Sequence, residues 1–188
     1  MTRISVPVAV AAVIFTLPIF GCSPAPSPSA PPPTTDRAAM TQGELCASLK
    51  QFFTEELHAR ALQTIPVSKD ESSTITISGI CQVVQGGKPA GWVESRHAPE
   101  DDDPTEGVPG FEQSTVLGVS VWVRDRTADP LNPSSQIRFA TRVNEWNVRL
   151  YIENETTNTA GGPLRLTDEK KQKAAQFLVN LTRQLSGT

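Results

Sequence analysis

The sequence predicts an α+β domain: an antiparallel sheet of about four to six strands with an N-terminal and a C-terminal helix packed on one face. Three observations carry this. A capping-box tetrapeptide, Thr41-Gln42-Gly43-Glu44, opens a run with apolar residues at helical spacing. Residues 72–153 change to a period of two, punctuated by Gly, Pro and Asn. A last segment from Thr167 carries one apolar stripe at i, i+3, i+4 and i+7.

In order, Thr41 can accept from the Glu44 amide while Glu44 reaches back to the cap, which starts a helix. Leu45, Leu49, Phe52 or Phe53, and Leu57 follow at its period, so the helix is expected over 42–62, stopping before Pro66. Residues 72–79 alternate Thr and Ser with Ile75 and Ile77, and 80–85 and 90–96 flank Gly86-Gly87, whose freedom to take positive φ suits a hairpin. Residues 98–113 are a polar loop rich in Pro and Gly. Residues 115–124 are expected as one strand with Leu117, Val119, Val121 and Val123 on its inner face. Asp129-Pro130 and Asn132-Pro133-Ser134-Ser135 mark a turn, and 136–143 and 147–153 form a second hairpin around Asn144-Glu145-Trp146. Thr167-Asp168-Glu169 then starts a helix that buries Ala174, Phe177, Leu178, Leu181 and Leu185.

Hydrophobic content of 38% suits a globular chain, and a formal net charge of -3 gives no electrostatic reason to bind nucleic acid. No phosphate loop, nucleophile elbow or dinucleotide fingerprint occurs, and two histidines leave little scope for a hydrolase triad, so a non-enzymatic protein without cofactors is expected. Glu55 and His58 have a helical metal-ligand spacing, but a site needs three or four ligands and the motif is not duplicated, so no metal is expected. The acidic run Glu100-Asp101-Asp102-Asp103 with Glu106 fits no calcium loop and reads as a solvated, self-repelling loop.

The second faces of the expected strands share a composition. Trp92, Glu94 and Arg96 lie beside Ser120, Trp122 and Arg124, Arg138 and Arg142, and Arg149, Tyr151 and Glu153. Aromatic rings bury large areas and guanidinium forks grip anionic groups, so Trp92, Arg96, Trp122, Arg124, Arg149 and Tyr151 form a candidate binding face. The alternative is a solvated face held by cross-strand ion pairs and cation–π contacts, or one covered by a helix.

The N-terminus has a different character. After Arg3, residues 4–20 carry no ionisable side chain, yet Pro7 and Pro18 interrupt a run too short to span a bilayer, so residues 1–21 read as a signal peptide. Its end, Ile19-Phe20-Gly21-Cys22, resembles the lipobox of bacterial lipoproteins. The resemblance implies cleavage before Cys22 and acylation of its thiol, and two or three chains would hold a small domain on the membrane stably. Residues 22–40 hold the acylated cysteine and a Pro-rich tether containing six of the 16 prolines, and a single domain follows over 41–188. The bias of 11 Arg to 6 Lys and the Ala, Pro and Val content are similar to small envelope lipoproteins of high-GC Gram-positive bacteria. With Cys22 taken by lipid, Cys46 and Cys81 remain as a pair in an exported protein, and a disulfide between them follows. The expectation is therefore a lipid-anchored module on the extracytoplasmic face of the cell membrane, binding an envelope protein or an anionic envelope component. The second expectation is a carrier of lipid or another apolar ligand in a cavity lined by Phe52, Phe53, Phe139, Phe177 and Leu181.

Overall fold

The structure, a computed structural model, describes residues 39–66, 70–128 and 135–188. The signal peptide, Cys22, the tether before residue 39 and the turn residues Asp129 to Ser134 lie outside the described residues.

Thr41 caps α1 (Gln42–Gln51), its hydroxyl accepting from the Glu44 amide at 3.2 Å and its own amide donating to the Glu44 carboxylate at 2.7 Å. The reciprocal box satisfies two of the four orphan amides of the first turn. The helix is shorter than the expected 42–62. A wide π turn, Phe52–Glu56, follows it, with the Leu57 amide donating to the Phe52 carbonyl at 3.2 Å. Two consecutive phenylalanines go inward from the wide turn, Phe52 at 4% exposure and Phe53 at 0%. His58 and Ala61 then take positive φ and the chain enters an unexpected strand, β1 (Leu62–Pro66).

Residues 72–77 are a turn rather than a strand. Asp70 accepts from the Ser72 amide at 3.0 Å and its hydroxyl at 2.6 Å, offering the backbone a local bond in place of a ladder. Ile75 is buried and Ile77 is 70% exposed. Pairing resumes with β2 (Ser78–Gln85) and β3 (Lys88–His97), joined by Gly86 and Gly87 at φ 56° and 79°. The expected strand over 115–124 is two strands, β4 (Glu112–Val116) and β5 (Val119–Asp125). Leu117 and Gly118 turn between them at φ 51° and 78°, and Leu117 is exposed instead of facing the core. The second hairpin is β6 (Gln136–Val143) and β7 (Trp146–Glu153), turning at Asn144 with φ 53°.

The fold is mixed α+β, with seven strands among the described residues where four to six were expected. All pair antiparallel in the order β1-β2-β3-β7-β6-β5-β4. The inward side chains include Val83, Val93, Val121, Ile137, Phe139, Val148, Leu150 and Ile152, each 1% exposed or less. The second helix, α2 (Asp168–Ser186), is capped by Thr167 and closed by Gly187 in the left-handed region. It contributes Ala174, Ala175, Leu178, Val179 and Leu181 to the same core. Phe52 and Phe177 stack at 4.4 Å and join the two helical segments. Cys46 and Cys81 form a disulfide, with Cα atoms 5.3 Å apart, that ties α1 to β2 across 35 residues. Closing that loop stabilises by about 3 to 4 kcal/mol on the chain-entropy account.

Candidate functional site

β3 and β4 are consecutive in the chain but have three strands between them in the sheet, so residues 98–111 must cross over β7, β6 and β5. They cross on the face away from the core. Arg142 donates to the carbonyls of Ala98 at 3.0 Å and Asp101 at 2.6 Å, and Asn147 donates to the Asp101 carbonyl at 3.0 Å. Asp103 shapes the strap from within, accepting from the Thr105 amide at 2.8 Å, its hydroxyl at 2.6 Å and the Gly107 amide at 2.7 Å. The Thr105 hydroxyl and these amides hold the Asp103 carboxyl below its ordinary pKa. Asp101, Asp103 and Glu106 of the acidic run thus lie along the sheet with their side chains in use, while Glu100 and Asp102 are exposed, as expected of a solvated loop.

The ladder register puts Trp92, Arg96, Trp122, Arg124, Arg149 and Tyr151 on this outer face and arranges them in transverse rows. The strap divides them. Arg96 lies 4.0 Å from Asp101, and Arg149 pairs with Glu106 on the strap and with Glu94 at 3.5 Å. Burial disfavours the charge on Arg149, but Tyr151 and the carboxylates of Glu106 and Glu94 outweigh it and raise its pKa. These two arginines are therefore engaged by the chain's own acids.

The next row is different. Trp92 stands opposite Tyr151, Tyr151 opposite Arg138 and Arg138 opposite Arg124. Trp92 and Tyr151 stack at 4.4 Å, inclined by 13°, and the Trp92 indole donates to Glu94 at 3.1 Å. The Arg138 guanidinium lies 5.6 Å from the Tyr151 ring centre and donates through Nε to Gln136 at 2.7 Å. Burial first, and then the Glu94 carboxylate, push the Tyr151 hydroxyl above its usual pKa, so it stays neutral. Arg124 makes no hydrogen bond or ion pair among the described residues, and its Nε is buried without a partner. Desolvation, then the positive neighbours Arg138 and Arg126, lower its pKa. Trp122 stands opposite Ala140, which leaves one side of its indole without a large cross-strand neighbour.

Sequence reasoning placed Arg138 on this face but did not single it out, and it missed the strap. The signal available for the strap was sign complementarity, since five acids follow β3 directly and the face they cross is rich in arginine.

Of the residues expected to line an apolar cavity, Phe53 and Phe139 are fully buried in the packed core. Phe52, Phe177 and Leu181 instead line a groove of ≈ 400 Å³ beside the π turn and α2, with Gln51, Glu55, Lys173, Asn180 and Gln184 among its other lining residues. Glu55 and His58 are exposed, Glu55 accepting from Gln51 at 2.9 Å. Among the described residues no helix is long and apolar enough to cross a membrane. No family model matches the chain, and no curated protein matches it.

Proposed function

We propose that this chain is a lipid-anchored envelope protein whose domain is a non-enzymatic binding module, presenting the outer face of its sheet to an anionic partner. The anchor rests on the leader and the lipobox-like end at Cys22. The observation that carries the binding role is the row Trp92, Tyr151, Arg138 and Arg124. There, a stacked aromatic pair backs the Arg138 guanidinium, Arg124 stands opposite it, and no carboxylate among the described residues pairs with either arginine. Rigid aromatics with fixed forks are the side chains that concentrate binding energy at interfaces. A carrier role has less support, because the core phenylalanines are packed and the groove beside them is rimmed by polar groups.

The test is capture from envelope extract by the immobilised protein, compared with a Trp122→Ala/Arg124→Gln variant of unchanged circular dichroism. Species held by the parent are expected to be lost from the variant by tenfold or more. Equal retention by both proteins would reject this face as the binding surface.

A further inference from the structure

Two arginines directly opposite each other on neighbouring strands have β-carbons about 5 Å apart and repel, an arrangement that sheets ordinarily avoid. At Arg124 and Arg138 the sheet accepts this, although Glu94, Asp101, Glu106 and Glu153 all lie on the same face. The first three are drawn to Arg96 and Arg149, and Glu153 accepts from Gln136 at 2.8 Å and Ser135 at 2.9 Å. Arg138 is also held in place, with its guanidinium over the Tyr151 ring and its Nε on Gln136. Its four terminal N–H donors, and all five donors of Arg124, make no hydrogen bond among the described residues; the Nε of Arg124 is buried, so its terminal donors are the ones an anion can reach. A pair of like charges with unused donors, one of them held in place, is arranged for an anion that bridges them.

The charge of the pair identifies the anion. A carboxylate's two oxygens have lone pairs enough for two guanidinium forks, but its single negative charge leaves one of the two arginines uncompensated. A phosphate monoester offers three peripheral oxygens and a charge of about -1.5 to -2 at pH 7, matching two forks and two positive charges. Resting on the binding-module reading above, we infer that Arg124 and Arg138 form a bidentate site for a phosphate monoester dianion, with Tyr151 and Gln136 as positioning residues. The same group occurs on small phosphorylated metabolites and at the headgroup of phosphatidic acid.

The experiment titrates the full chain with inorganic phosphate, glycerol 3-phosphate and dimethyl phosphate, following the arginine Nε–H resonances. Vesicles of phosphatidylcholine with and without phosphatidic acid are tested by cosedimentation. Saturable binding of the monoester, at least tenfold tighter than the diester, is expected. Arg124→Gln and Arg138→Gln should each weaken it tenfold or more, and Arg138→Lys at least fivefold, because charge without a fork does not suffice. Arg60→Gln, which removes an exposed charge elsewhere, should leave it unchanged. Tighter binding of the soluble ester or of phosphatidic acid vesicles identifies the source, and either supports the site. Equal binding of monoester and diester, equal loss in Arg60→Gln, or no saturable response would overturn it. If the phosphate titration fails while envelope capture still depends on Trp122 and Arg124, the binding face stands and its phosphate chemistry falls.

Discussion

Gly91 shows how closely single residues are fitted. A β-carbon there would run into the Phe53 ring and the Tyr151 carbonyl oxygen, so the π turn reaches the sheet only where β3 lacks a side chain. Gly91→Ala is expected to cost about 1 to 3 kcal/mol as an overpacked core substitution. Denaturant unfolding would show this as a lower midpoint at unchanged slope, and an unmoved midpoint would contradict the packing described. On the opposite face, single residues were readable from the sequence to the extent that they depend on a period of two. Trp92, Arg96, Arg149 and Tyr151 share a face because each is an even number of positions from its neighbours on a continuous strand. What that period does not encode is which charge meets which. Arg149 and Glu106 are 43 positions apart, and their pairing depends on a chain crossing that no local pattern announces.

Among the elements, those bounded by strong punctuation were legible. The capping box at Thr41, the glycine pair at Gly86-Gly87 and the cap at Thr167 coincide with real element ends. Residues 115–124 were misread because Leu117-Gly118 sits inside a run rich in valine, and two residues are enough to turn a hairpin. The first helix is expected too long because helical spacing continues to Leu57, while the backbone widens at Phe52–Glu56 and then leaves the helix at His58 and Ala61, both at positive φ. At the outer end of the sheet, α2 is tied to β5 by Lys171 and Asp125 at 2.8 Å. Burial opposes ionisation of Asp125, but Lys171 and Thr127 outweigh it and lower its pKa, while Asp125 raises that of Lys171. A lowered acid contributes stability above its unfolded pKa, near 4, and loses it as pH falls through the folded value. A raised lysine contributes below its unfolded pKa, near 10.4, and loses it as pH rises through the folded value. The pair therefore supports the fold between about pH 4 and 10. In Lys171→Met the drop in melting temperature from pH 6 to pH 3 should be smaller than in the parent, and equal drops would show that the pair contributes nothing.

For the whole molecule, the order of the strands separates the chain into two meanders. β1, β2 and β3 pair with one another in succession, with the disulfide joining α1 to their middle strand. β4, β5, β6 and β7 do the same beneath α2. The meanders meet along the β3–β7 ladder, from Gly91 with Ile152 to His97 with Trp146, and through Phe52 on Phe177 and Lys173 on Glu56 at 3.1 Å. Among the described residues they are linked covalently only through the strap. Each half carries its own helix and hairpins, so local contacts form within halves and the seam, the least local pairing, is placed late in folding. Opening the backbone at exposed Asp102 should leave two pieces, one ending at Asp102 and the other 103–188, that elute together in native buffer and separate in denaturant. Separation without denaturant would show that the seam is too weak to hold them. The crossing that covers part of the arginine face thus also makes this chain a candidate for fragment complementation, in which two independently made halves rebuild one continuous sheet.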